Sequence, residues 1–172
     1  MTPPVDLARL VRRLELPPGF VAPTHLRDDD VSADAITRDH LEEDVRGINA
    51  SLDLIRRTRG GGWPDGPVTP EGNYVDLVWH ECEFRDGKSF TFVLRDGAGE
   101  YIGCAYLYPV GVRRPLTQEL LAHDVDVSWW VTPDAYDRGL YAAAHEALRR
   151  WSVEDFPFAA PFFSNVELPE AK

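Results

Sequence analysis

Lysine is almost missing from this chain, standing only at Lys88 and Lys172, so arginine carries nearly all the positive charge. Positive charge is itself in deficit: the net charge is −11. A surface of that sign repels a phosphate backbone, which argues against a nucleic-acid partner. The arginine clusters at 56–59, 113–114 and 149–150 read as solvated surface. Cysteine is equally scarce. Cys82 and Cys104 have no partner spacing and read as small hydrophobes in packed elements, which suits a reducing, cytoplasmic setting. No apolar run is long enough for a transmembrane helix, and the first residues lack the apolar core of a signal peptide. Walker and Rossmann glycine patterns are absent. The stretch "HECE" at 80–83 lacks the second histidine of H-E-x-x-H, and its neighbours point in different helical directions, so no metal site is expected.

What remains is the composition of one globular domain over residues 1–172, with a short N-terminal extension (1–19) and a core (20–166). Leu7, Leu10, Val11 and Leu14 fit a small amphipathic helix stopped by Pro17 and Pro18. Residues 20–27 read as a first strand. Residues 28–60 read as one or two helices, with Gly47 and Asn49 marking a break. After a Gly/Pro-rich loop, Thr69 as N-cap, Pro70 at N1 and Glu71 in the first turn start a helix that runs to about Arg85. Its apolar side is predicted as Tyr74, Leu77, Val78, Cys82 and Phe84. Two β-rich runs flanking Asp96-Gly97-Ala98-Gly99 predict an antiparallel hairpin. "VDVSWWV" (125–131) reads as a further strand, 133–151 as a helix, and "FPFAAPFFSNVEL" as a last strand. The order β-αα-β-β-β-α-β indicates an α+β or mixed α/β fold.

With these motifs in place, the chain resembles the Gcn5-related N-acetyltransferase (GNAT) superfamily over roughly residues 20–165, and within it a group of small bacterial acetyltransferase-like proteins. The resemblance rests on Thr69, Glu71, Asn73, Asp76, Leu77 and His80 on one helix, and on Gly103, Cys104, Tyr106, Tyr108 and Pro109 at a strand end. It also rests on Trp129 or Trp130, Trp151 and Phe156-Pro157-Phe158. It implies an acetyl-CoA-dependent N-acetyltransferase with a small-molecule or protein amine as acceptor. It also implies a strand 125–131 that splays from its neighbour, its backbone pairing with the pantetheine arm while the next loop and helix start hold the pyrophosphate. The implied cofactor-binding residues are Trp130, Val131, Arg138, Gly139, Leu140 and Tyr141.

The family's phosphate pattern can be laid on Arg138, Tyr141 and Ala143 or on Tyr136, Gly139 and Tyr141, and either way Tyr141 takes a place meant for a small residue. Thr132, Pro133, Asp134 and Asp137 also make an ordinary helix start that needs no phosphate. The residue types offer Asp126, His80 and Glu83 as a general base, with Asp76 and His80 spaced to pair on a helix surface. Trp129 and Trp130 must face opposite sides of their strand. The chain after Trp151 is shorter than the superfamily's usual ending, so the sheet edge would be covered by a homodimer or by the N-terminal helix. The alternative is a non-catalytic GNAT-fold protein for ligand binding or assembly, with a degenerate acetyl-CoA site.

Overall fold

A computed structural model describes residue 7 and residues 11–170. Most of the expected N-terminal helix lies outside the described residues. Leu14, expected in that helix, is instead in non-helical chain; it is buried, and its N–H donates to the Lys88 carbonyl at 3.1 Å.

The strands arrive first as a hairpin. β1 (His25–Arg27) and β2 (Val31–Ala35) pair antiparallel. Residues 31–35 were expected to be helical. The period-two pattern prevails instead, burying Val31 and Ala33 on one face of the sheet, while Asp28–Asp30 make the turn. A 3-10 turn at Arg38–His40 leads into α1 (Leu41–Asn49) and α2 (Leu52–Thr58). The break falls at Ala50-Ser51 and not at Gly47, which lies inside α1. There the missing Cβ makes room for Tyr101, whose Cε1 would lie 2.4 Å from it.

α3 (Pro70–Arg85) starts as expected, with the Thr69 hydroxyl accepting from the Gly72 N–H at 3.1 Å. Its buried side differs: Asn73, Leu77 and His80 face inward, while Tyr74 is 41% exposed. The reason is a polar seam. Buried Asp44 of α1 accepts from Asn73 Nδ2 at 2.8 Å and from the Tyr101 hydroxyl at 2.7 Å, which rotates α3 by its Asn73–Leu77–His80 stripe.

β3 (Phe90–Asp96) and β4 (Tyr101–Tyr108) form the expected hairpin, its turn closed by Asp96 Oδ1 accepting from the Ala98 and Glu100 N–H groups at 3.0 Å each. β5 (Val125–Val131) follows. The helix expected at 133–151 is two: a single turn α4 (Pro133–Asp137) and α5 (Leu140–Glu154), separated by Gly139 with φ +81°. β6 (Pro161–Phe163) closes the six-stranded sheet, whose order is β1-β2-β3-β4-β5-β6. All neighbours are antiparallel except β5 and β6.

Both faces of the sheet are covered, which gives a mixed α/β sandwich of layers. On one face Phe92, Val127 and Trp129 pack with Ala144, Leu148 and Trp151 of α5 and with Phe156 and Phe158. On the other, Val93, Cys104 and Trp130 pack with Ile48, Ile55 and Leu77 of α1–α3. Adjacent Trp129 and Trp130 therefore serve opposite cores, and both are fully buried. Among the described residues no helix is long and apolar enough to cross a membrane, and no group of histidine, cysteine and carboxylate side chains could hold a metal ion.

Candidate functional site

The first place to look is the gap between β5 and β6. The strands pair in parallel for three residues, Val125 with Pro161, Asp126 with Phe162 and Val127 with Phe163, and then part. The freed edge of β5 is not left open. The Ser164 N–H donates to the Val127 carbonyl at 2.9 Å. The Asn165 side chain then takes both backbone groups of Trp129: its Oδ1 accepts from the Trp129 N–H at 3.2 Å, and its Nδ2 donates to the Trp129 carbonyl at 2.9 Å. Only one orientation of the amide satisfies both. Asn165 Nδ2 also donates to the Tyr141 hydroxyl at 2.6 Å, and that hydroxyl donates to the Glu167 carbonyl at 2.6 Å. The Glu167 N–H donates to the Thr58 carbonyl at 3.0 Å, so the segment 164–167 is tied from β5 across to α2. The β5 edge that a homodimer or the N-terminal helix was expected to cover is covered here by the chain's own C-terminal residues.

Tyr141 has moved inward from the helix start. Its ring stacks on Trp129 at 5.0 Å between centroids, and burial pushes its phenol up to about 12. Gly139, the centre of the second of the two phosphate registers, is the left-handed residue that opens α5. Leu140 packs against the α5-side core. Arg138 is exposed and already engaged, with Nε donating to Asp134 at 2.8 Å and Nη1 to Asp96 at 3.1 Å. Strand alternation sends the Val131 N–H to the same side as that of Trp129 and the Trp130 N–H toward β4. The Trp130 indole lies in the other core and donates to the Tyr106 hydroxyl at 3.0 Å. As folded, the β5 edge at Trp129 is not free for a pantetheine arm: Asn165 holds the N–H and C=O of Trp129, the Tyr141 ring stacks on the Trp129 indole, and Arg138 is paired with two carboxylates.

The second place is on the opposite face of β5, where Asp126 and Ser128 point. Arg59, at the end of α2, is 7% exposed, and its Nε donates to Ser128 Oγ at 3.1 Å. Its guanidinium lies 4.0 Å from the Tyr106 ring centroid and 5.6 Å from that of Trp63. Arg113 donates to Ser164 Oγ and, through Nη2, to the carbonyls of Arg59 and Gly60 at 3.3 Å. Ser164 Oγ in turn donates to Asp126 Oδ1, while Asp126 Oδ2 is buried without a partner among the described residues. Burial pushes the Asp126 carboxyl up, against the pull of the Ser164 hydrogen bond and of Arg113, Arg114 and Arg59. Burial, followed by repulsion from Arg59, brings Arg113 down to about 10.

Above Arg59 opens a cleft of about 290 Å³, bounded by Gly60-Gly61-Gly62, Trp63, Asp76, His80, Tyr106 and Tyr108. Buried His80 meets Thr91 Oγ1 through Nδ1 at 3.1 Å, with its Nε2 3.5 Å from Asp76 Oδ2, the pairing expected from their spacing. Glu83 accepts from Ser89 Oγ at 2.9 Å and lies 3.9 Å from the His80 ring. Of the three candidate bases, His80 lines the cleft and Glu83 lies next to it, outside the lining. Asp126 sits apart behind Arg113 and Ser164.

Arg59, Arg113, Ser128, Ser164 and Asn165 were not singled out from the sequence as site residues. The arginines looked like surface charge. The available signal was in "VDVSWWV", where Asp126 and Ser128 share the Trp130 face and so put two polar side chains on an apolar strand.

The sequence matches no protein-family model, and no curated protein matches it. The fold does match solved structures. One is RimL, a ribosomal L7/L12 alpha-N-protein acetyltransferase in complex with coenzyme A, with TM-score 0.55, 10% identity and coverage of 80% of this chain and 71% of that one. A second is the ribosomal-protein-S5-alanine acetyltransferase from Vibrio fischeri, with TM-score 0.56, 13% identity and coverage of 77% and 68%. A third is a GNAT-family acetyltransferase from Bacillus anthracis, with TM-score 0.53, 13% identity and coverage of 76% and 67%. The chain therefore has the GNAT acyl-CoA N-acyltransferase fold, as its motif order implied.

Proposed function

We propose that this protein is a GNAT-fold small-molecule binder that takes its ligand in the cleft above Arg59 and does not seat acetyl-CoA along β5. The observation that carries the reading is Asn165, whose side chain satisfies both the N–H and the C=O of Trp129. A pantetheine arm would need those groups, and displacing the amide would leave buried polar atoms unpaired.

The second reading is an N-acetyltransferase acting on a small amine or a protein amine, the activity named for the ribosomal-protein acetyltransferases of like fold. It is favoured by the left-handed Gly139 at the start of α5, a helix N-terminus whose free N–H groups suit an anion. It requires residues 164–167 to leave the β5 edge. His80 or Glu83 would then be the base beside the acceptor cleft.

Thermal unfolding with acetyl-CoA, CoA and a longer acyl-CoA separates the two. A ligand at 100 times its Kd stabilises the native state by about 2.7 kcal/mol. No stabilisation is expected at millimolar acetyl-CoA, and no acetyl transfer to a panel of amines. A saturable shift with acetyl-CoA, accompanied by turnover, would establish the second reading instead.

A further inference from the structure

We propose that the ligand of this cleft is a small monocarboxylate with a flat apolar body, its carboxylate gripped by the free edge of the Arg59 guanidinium. The inference deepens the small-molecule reading and rests on it.

Charge is the first argument. Arg59, Arg113 and Arg114 all act on one buried carboxylate, Asp126, and among the described residues none of the three forms an ion pair. A buried cation without a direct ion-pair partner is costly, and here it persists in a protein of net charge −11. Behind the base of the cleft three arginines thus share Asp126, and Asp76 is the one acidic side chain among the described residues that line the cleft.

Geometry is the second. Arg59 spends Nε on Ser128, and its flat face on Tyr106 and Trp63. Its Nη1 and Nη2 have no hydrogen-bond partner among the described residues, and neither atom is sealed from solvent. That edge presents two parallel N–H donors, the shape that a carboxylate meets in bidentate fashion. The guanidinium is fixed by Ser128 and the rings, so little freedom is lost when it binds.

The walls set the rest of the ligand. Trp63, Tyr106, Tyr108 and His80 surround the space with rings, and its volume is about 290 Å³, at the small end for ligand sites. A flat apolar body of one ring stacks there. Asp76 in the lining and Asp126 behind the base repel a dianion such as phosphate more than a monoanion.

Benzoate is the probe. Titrations of the full chain by calorimetry and by tryptophan fluorescence, at fixed ionic strength, are run against inorganic phosphate and benzylamine. Benzoate should bind saturably and stabilise the fold, with phosphate and benzylamine inert at the same concentrations. Arg59→Lys keeps the charge and loses the fork, and should weaken benzoate by roughly tenfold or more. Trp63→Leu leaves the Arg59–Ser128 bond in place and should also weaken it, which keeps the test intact if the Arg59 variant does not fold. The inference is overturned if benzoate has no effect at millimolar concentration, if phosphate binds as well as benzoate, or if both variants bind like the parent. Benzylamine binding without benzoate binding would overturn the carboxylate while sparing the small-molecule reading. Stabilisation and turnover with acetyl-CoA would instead remove that reading, whatever benzoate does.

Discussion

Asn165 meets Trp129 with both ends of its amide, and so one side chain does the pairing that a strand residue would otherwise do. Alanine at 165 would strand the Trp129 N–H, the Trp129 carbonyl and one partner of Tyr141 in a buried setting. The expected loss is about 1–3 kcal/mol per group left unpaired, read as a lower urea midpoint. Asp126 makes a different test. Its carboxyl is raised by burial, so the folded state holds its proton to higher pH than the unfolded chain does. The folded form then binds more protons in that window, and stability falls as pH rises from the ordinary carboxylate range through the raised value. Asp126→Asn should flatten that fall and unfold at a higher urea concentration than the parent near neutrality. An unchanged pH slope would mean that Asp126 titrates normally. Tyr141 could be recognised in the sequence as too large for its place. Its destination could not, because the atoms that hold it belong to Asn165 and Glu167, 24 and 26 positions away.

Elements whose signals are local were legible. Thr69 and Pro70 start α3 because capping acts within one turn, and Asp96-Gly97-Ala98-Gly99 closes its hairpin through contacts inside the turn. Errors came where a distant partner decides. Residues 31–35 carry small and acidic side chains that suit a helix start, yet they pair with Phe92–Asp96 as a strand. Tyr74 looks like core until Asp44 and Asn73 set the rotation of α3. Two glycines give a graded prediction. A Cβ at Gly139 meets nothing within 4 Å, so Gly139→Ala suffers only from the left-handed backbone, roughly 1–2 kcal/mol. A Cβ at Gly103 would lie 2.0 Å from the Trp130 carbonyl oxygen on β5, where no flexible side chain can give way. Thermal unfolding should show Gly103→Ala to be the more damaging, since it pushes β4 from β5 along the edge of the Trp130 core. Equal losses would argue that β4 and β5 yield at that point.

At the scale of the whole molecule, the layout followed from alternation on the strands and from the order of elements, whereas the closure of the β5 edge did not, because it is made by irregular chain. That closure bears on whether the β5 edge can pair with another copy of the chain. β6 covers only the first three residues of β5, and the remainder depends on Ser164, Asn165 and the Glu167–Thr58 link. A chain ended at Phe163 would bare the Trp129–Val131 edge, remove the cap on Tyr141 and take away the hydroxyl that joins Arg113 to Asp126. Unpaired strand edges recruit other strands. The shortened protein should therefore unfold at lower temperature than the parent and sediment with a concentration-dependent increase in mass. The net charge of −11 opposes that association, so added salt should strengthen it. Asn165→Ala alone keeps Ser164 and Glu167 in place and should show the stability loss with little self-association. If the shortened chain sediments as the parent does at every concentration and salt, the edge of β5 is protected by something other than residues 164–167.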